Sequence, residues 1–193
     1  MKENREIRAL ARSQLHGRWL AAVGMFIIFG VILSVSSFIV IGPLVLGGPL
    51  LLGFYGYYIK MARGETAKLE NLFDGFKMFG SSFLLYLVET IFICLWTLLF
   101  IIPGIVKCFS YSMAFFILRD NPEIGALEAI TRSRKMMNGY KGKLFGLSLS
   151  FIGWWLLSIL TLGIGLLWLG PYISASLANF YEDLKQNQPS VQQ

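Results

Sequence analysis

The sequence predicts an all-α, polytopic integral membrane protein with six transmembrane helices arranged as three hairpins, plus amphipathic helices at the membrane interface. Three observations support this prediction. The chain of 193 residues is 55% hydrophobic and only 15% charged, whereas about 25% of the residues in a soluble domain are charged. Its apolar residues are gathered in long runs, and about 20 such residues cross a bilayer as a helix. The Lys and Arg residues flank these runs.

Residues 1–18 form the first predicted element, an interfacial N-terminal helix. Ile7, Leu10 and Leu15 recur at helical spacing, while Arg8 lies off that apolar stripe. This pattern is typical of a helix that lies in the membrane interface with its apolar face toward lipid.

Six apolar segments follow within a single transmembrane domain that covers residues 1–193. Turns rich in Gly and Pro interrupt the apolar sequence three times, so the segments pair as hairpins. The second segment of each pair is short, which hints at a threefold hairpin repeat. The predicted spans are 19–41, 44–59, 82–102, 105–118, 144–162 and 166–181, followed by a polar tail at 182–193.

The two loops between the hairpins contain further predicted helices. In residues 60–81, apolar side chains recur at helical spacing from Leu69 to Phe79, which predicts a second surface-lying segment. In the next loop, Asn121 caps a helix and Pro122 suits its first position. That helix is expected to end at Asn138-Gly139.

The distribution of positive charge predicts the orientation. Sixteen of the 17 Lys and Arg residues lie on one predicted side of the membrane. The positive-inside rule therefore places both termini in the cytoplasm, as expected for a multi-pass protein of the cell membrane. Lys107 is the exception, and we expect it to extend toward the outer headgroups. Because the net charge of +6 is concentrated beside apolar segments, a nucleic-acid partner is not expected.

Several short motifs are distributed over nearly the whole chain. They are Gly17-Arg18-Trp19, Ile102-Pro103-Gly104 through Tyr111, Ala126-Leu127, Ser133, Gly139 and Gly170-Pro171-Tyr172. Together they resemble the bacterial membrane protein family catalogued as domain of unknown function 975. The resemblance implies a fold and a membrane location, and it implies no established activity and no catalytic residues.

Glu89 is the one acidic residue within a predicted span. Charge at bilayer depth is costly, so we expect Glu89 to face the bundle interior beside polar groups such as Asn179, Tyr181 and the tyrosines of 55–58. The functional interpretation is a cation, proton or substrate site. The structural alternative is a protonated or hydrogen-bonded carboxyl group. No second acid or His lies at similar depth, so a proton relay lacks its other members.

A basic cluster ends the helix of the last cytoplasmic loop. Cations near an anionic membrane surface attract it by about 1 kcal/mol each, so these residues are candidates for contact with anionic lipid. The alternative is that they only determine topology. The cluster consists of Arg132, Arg134, Lys135, Lys141 and Lys143.

The sequence contains no recognisable catalytic, metal-binding or cofactor-binding motif. His16 is the only histidine, and a lone His forms neither a metal site nor a Ser-His-Asp arrangement. The mid-span residues Trp154 and Trp155 are expected to pack rather than bind a ligand. Cys94 and Cys108 are expected to be small buried hydrophobes, although a disulfide between them stays open.

Two functions remain open from the sequence. The first is a non-catalytic protein, not an enzyme and without cofactors, that organises membrane lipid, a partner protein or a second copy of itself. The alternative is a small transporter or the membrane subunit of a transport complex, as indicated by the short second helices and Glu89. A membrane enzyme comes third.

Overall fold

The computed structural model describes residues 1–39 and 41–188. This part of the chain is all-α, 81% of it is helical, and it contains no strand. Residue 40, in the first predicted span, and residues 189–193, in the predicted polar tail, lie outside the described residues. The helices are α1 Asn4–Leu15, α2 Trp19–Ser36, α3 Gly42–Ala62, a 3₁₀ helix Leu69–Met78, α4 Phe79–Leu99, α5 Ile101–Tyr111, α6 Ala114–Asp120, α7 Ala126–Met136, α8 Lys141–Leu149, α9 Ile152–Leu160 and α10 Leu166–Asn187.

Four helical stretches are long and apolar enough to cross a membrane. Three of them are largely exposed, with 11%, 17% and 22% of the first, second and last stretch buried within the protein, whereas half of the third stretch is buried. Exposed apolar surface of this extent is expected for helices that contact lipid. The stretches correspond to the first, third, fourth and fifth predicted spans: Trp19–Ser36, Leu69–Leu98, Ile101–Asp120 and Lys141–Leu160.

The other two predicted spans, 44–59 and 166–181, lie within α3 and α10. Both helices are surrounded by other helices, and their buried positions include Ser174 and Asn179. A helix that contacts protein on most sides can carry such small and polar side chains, whereas a helix facing lipid must be apolar throughout. This explains why α3 and α10 are less apolar than the four exposed stretches.

The N-terminal helix is amphipathic, as predicted, but its apolar face contacts protein. Ile7, Ala11 and Leu15 are fully buried, and α1 packs against α10, α3 and α8. The apolar face is therefore covered by protein, and the interfacial position of this helix stays a prediction. The backbone N–H of Lys2 also donates a hydrogen bond to Asp183 over 2.9 Å, which fixes the start of the chain to α10.

The 3₁₀ helix, expected as a surface segment, packs backbone to backbone against α3. A Cβ atom on Gly53 would collide with the carbonyl of Leu72, and one on Gly75 would collide with the carbonyl of Pro49. Only glycine permits such an approach. The two glycines therefore allow the loop after α3 to fold back along this helix, and the chain then continues into α4.

The fourth predicted span is divided into two helices. Helix α5 ends at Tyr111 and α6 begins at Ala114. Ser133 of α7, which is fully buried, bridges the break: its Oγ accepts a hydrogen bond from the N–H of Met113 over 3.2 Å and donates one to the carbonyl of Ser110 over 2.8 Å. One hydroxyl group thus satisfies two backbone groups that the helix break leaves without helical partners.

Replacing Ser133 with Ala should destabilise the protein by about 1–3 kcal/mol, because a buried N–H and a buried carbonyl would lose their partner. Thermal unfolding in detergent measures this as a lower midpoint. Ser148→Ala is the matched control, since the Ser148 side chain is exposed and bonds only to a carbonyl of its own helix. Equal midpoints for the two variants would contradict the bridging role.

Candidate functional site

Helices α5, α7 and α8 enclose a cleft of about 450 Å³ that is lined by basic side chains. Lys107 comes from α5, Arg134 and Lys135 come from the last turn of α7, and Lys141 begins α8. Ser110, Thr131 and Asn138 add polar groups to the wall. We refer to this space as the basic cleft.

The four cations of the basic cleft have no carboxylate partner among the residues that the structure describes. Within the described part of the chain, no Asp or Glu oxygen lies within 4 Å of their charged nitrogens, whereas Lys60, Lys77 and Arg119 each pair with Asp74. Lys107 instead places its Nζ 4.5 Å from the ring centre of Trp96. Like charges that share a confined space repel one another, and a bound anion relieves this repulsion.

The residues of the cleft differ from the sequence-based basic cluster in two respects. Lys107, expected near the outer headgroups, lies with Arg134 and Lys141, because α7 packs against α5 beside the Ser133 bridge. Arg132 and Lys143 do not line the cleft. Arg132 pairs with Glu128 over 2.9 Å, and the Lys143 carbonyl accepts a hydrogen bond from Asn4.

Glu89 lines a second cavity, of about 210 Å³, between α3, α4 and the α5–α6 break. Its Oε1 atom is inaccessible and has no hydrogen-bond partner among the described residues. Of the predicted polar neighbours, only Tyr55 lines this cavity. Asn179 does not meet Glu89, because its amide exchanges hydrogen bonds with the side chain of Gln14 at 2.6 and 3.1 Å.

A third space, an aromatic groove of about 610 Å³, runs between the start of α2 and the α9–α10 hairpin. Trp154 lines it, although the sequence predicted simple packing for this residue. His16 and Arg12 also line it, and the Arg12 guanidinium lies 5.7 Å from the ring centre of Tyr172. No linear pattern reveals this groove, because its walls come from segments more than 100 residues apart.

Other charged residues form ion pairs and hydrogen bonds that connect the ends of helices. Asp120, at the end of α6, accepts hydrogen bonds from Arg63 and Lys185, each over 2.6 Å, and from the Tyr181 hydroxyl over 3.0 Å. Arg63 also pairs with Glu182 over 2.7 Å. Burial alone would lower the pKa of Arg63, but its hydrogen bonds to Asp120 and Glu182 raise this pKa above its ordinary value.

The described residues contain no group of three or more His, Cys, Asp or Glu side chains that could hold a metal ion. Cys94 and Cys108 are free thiols, and both are exposed rather than buried as expected. The sequence-based candidates therefore separate into cations that line the basic cleft, a carboxyl group in its own cavity, and Asn179 in a structural amide pair.

Comparison with known protein families matches this chain to the family described as Protein of unknown function (DUF975), over residues 1–110 and 100–188. The chain belongs to this family, which confirms the resemblance of its motifs. No curated protein and no solved structure matches it significantly. Because the family description assigns no function, function has to be argued from the geometry.

Replacing Asp120 with Asn should destabilise the protein by about 1–3 kcal/mol, because Arg63, Lys185 and Tyr181 would lose a shared charged acceptor. The measurement is the unfolding midpoint in detergent at low and high salt. Glu128→Gln is the control: the Glu128 side chain is 49% exposed in its pair with Arg132, so its loss should cost well under about 1 kcal/mol. An effect of Asp120→Asn as small as that of the control would show that Asp120 does not fasten these helices.

Proposed function

We propose that this member of the family is a non-catalytic, multi-pass protein of the cell membrane that organises anionic lipid. One observation carries this proposal: the basic cleft concentrates four cations around about 450 Å³ without a carboxylate partner among the described residues. Phosphate groups are the membrane anions that such a cleft fits, because Lys and Arg donate several hydrogen bonds to phosphate oxygens.

The surroundings of the cleft favour a lipid over a free anion. Val106 of α5 lines the cleft. Ile105 precedes it in the chain, and Phe145 follows the lining residue Lys141 by about one turn of α8. The three side chains are 43–49% exposed. A ligand that joins a phosphate to acyl chains can neutralise the cations and cover this apolar surface together. The aromatic groove offers a second elongated apolar surface, with Arg12 and His16 in its wall.

The proposed topology has six spans and cytoplasmic termini. Helices α3 and α10 have 21 and 22 residues, which correspond to about 30 Å at 1.5 Å per residue and suffice to cross the hydrocarbon core. The N-terminal ammonium group donates a hydrogen bond to Asn187 over 3.2 Å. Since the start of the chain and the end of α10 are in contact, they lie on one side, as an even number of spans requires.

Removing two cleft cations together, by Arg134→Gln and Lys141→Gln, should weaken binding of phosphatidylglycerol by about 30-fold. The reason is that each cation contributes about 1 kcal/mol. Native mass spectrometry of the purified protein, titrated with phosphatidylglycerol and with phosphatidylcholine, measures this loss.

The matched control is Arg132→Gln with Lys143→Gln, which removes two charges from the same region but none from the cleft. Its phosphatidylglycerol affinity should change far less. If both double variants lose affinity equally, general surface charge explains the binding. If neither loses affinity, the cleft has no lipid-binding role. Retention of a polypeptide instead of lipid would favour the partner-protein interpretation.

The topology is tested by single cysteines introduced into a Cys94→Ala, Cys108→Ala background. A membrane-impermeant maleimide added to intact cells should label Ile164→Cys, in the α9–α10 turn. It should label Lys68→Cys only after the cells are opened. Labelling of Lys68→Cys in intact cells, or protection of Ile164→Cys, would overturn the proposed orientation.

Transport is the second candidate function, and the Glu89 cavity is the specific observation that favours it. A carboxyl group beside an interrupted helix is an arrangement found at the ion and substrate sites of transporters.

A further inference from the structure

Glu89 has an unusual environment for a carboxyl group. It belongs to α4, one of the helices long and apolar enough to cross a membrane. Its Oε1 atom is shielded from solvent and accepts no hydrogen bond from any described residue. A buried oxygen with negative charge and no donor is costly, and such a group requires a proton or a bound partner.

The cavity beside Glu89 supplies oxygen atoms and no positive charge. The hydroxyl-bearing residues Tyr55, Tyr86, Thr90, Tyr111 and Ser112 line the cavity, and among the described residues no Lys, Arg or His does so. Hydroxyl oxygens accept hydrogen bonds and coordinate cations. The protein therefore surrounds an acidic group with further acceptors and provides no cation of its own to neutralise it.

The break between α5 and α6 borders the cavity. Helix α5 ends at Tyr111, which lines the cavity together with Ser112 and Phe115. Two carbonyls at the end of α5 already have hydrogen-bond donors, that of Phe109 from the Ser112 hydroxyl and that of Ser110 from Ser133. The unpartnered oxygen of Glu89 is therefore the observation on which a cation site rests.

Size and composition restrict the class of ligand. A volume of about 210 Å³ is below the range of about 300–1,000 Å³ typical of sites for drug-sized molecules. Calcium is usually held by several carboxylate and carbonyl oxygens, whereas Glu89 is the one acidic residue that lines this cavity in the described part of the chain. A single carboxylate with hydroxyl oxygens suits a small monovalent cation.

We propose that Glu89, together with the hydroxyl groups of Tyr55, Thr90 and Tyr111, binds a small monovalent cation, either an alkali ion or a primary ammonium group. This inference is independent of lipid binding at the basic cleft. It deepens the transport interpretation, because it names the class of solute that the cavity accepts.

Carbodiimide labelling tests the proposal in nanodiscs of phosphatidylcholine, which contain no anionic lipid. Dicyclohexylcarbodiimide adds covalently to a buried carboxyl group, and peptide mass spectrometry should locate the adduct at Glu89. Sodium, potassium or methylammonium should slow this labelling relative to N-methylglucamine at equal ionic strength. Comparison of the three cations distinguishes an alkali-ion site from an ammonium site.

Three variants sharpen the test. Glu89→Gln should abolish the adduct. Tyr111→Phe keeps the carboxyl group and should raise the cation concentration needed for half-protection about tenfold, the effect of losing one oxygen that contacts a charged ligand. Arg134→Gln with Lys141→Gln should leave protection unchanged, which separates this site from the basic cleft.

Two results would overturn the proposal. If Glu89 is labelled at the same rate in all four cations, it is a protonated structural carboxyl group. If Glu89 is not labelled although the folded protein elutes as a single species, the cavity is closed to solutes. Either result would leave the lipid proposal standing, since that proposal depends on other residues and other lipids.

Discussion

The basic cleft and the Glu89 cavity both depend on the hydrogen bonds of Ser133. A membrane helix that breaks at Tyr111–Met113 must satisfy the freed backbone groups, because lipid offers no donors or acceptors. The Ser133 hydroxyl satisfies two of them and so fixes α7 against the junction of α5 and α6. The basic cleft lies on one side of this junction, at Ser110, and the Glu89 cavity lies on the other, at Tyr111 and Ser112.

The pairing of charges separates structural residues from candidate functional ones. Asp120 and Asp74 each bind two or more cations, and they fasten the ends of α3, α6 and α10 and the 3₁₀ helix. The cations of the basic cleft and the Glu89 carboxyl group have no such partner among the described residues. In a chain that is only 15% charged, these unpaired groups are the observations on which the lipid and cation proposals rest.

Contacts of each helix account for its composition. The exposed helix α2 is almost wholly apolar, and α4 is mostly apolar apart from Glu89 and a few hydroxyl-bearing residues, while α3 and α10 carry Gly, Ser, Tyr and Asn. Between helices in lipid the hydrophobic driving force is absent, and association depends on close van der Waals packing. The backbone contacts at Gly53 and Gly75 permit such packing. The same reasoning explains α1, whose apolar stripe covers α10 instead of lipid.

The sequence by itself determined the helical class, the amphipathic N-terminal helix, the family, the candidate cations and carboxyl group, and six predicted spans, of which four correspond to stretches long and apolar enough to cross a membrane. These features depend on local composition and periodicity. Only the tertiary structure decided that Lys107 joins Arg134, that Asn179 pairs with Gln14 and not with Glu89, and that Trp154 lines a groove. The contacts at these sites join residues far apart in the chain, and helix packing fixes them, which a hydropathy pattern does not encode.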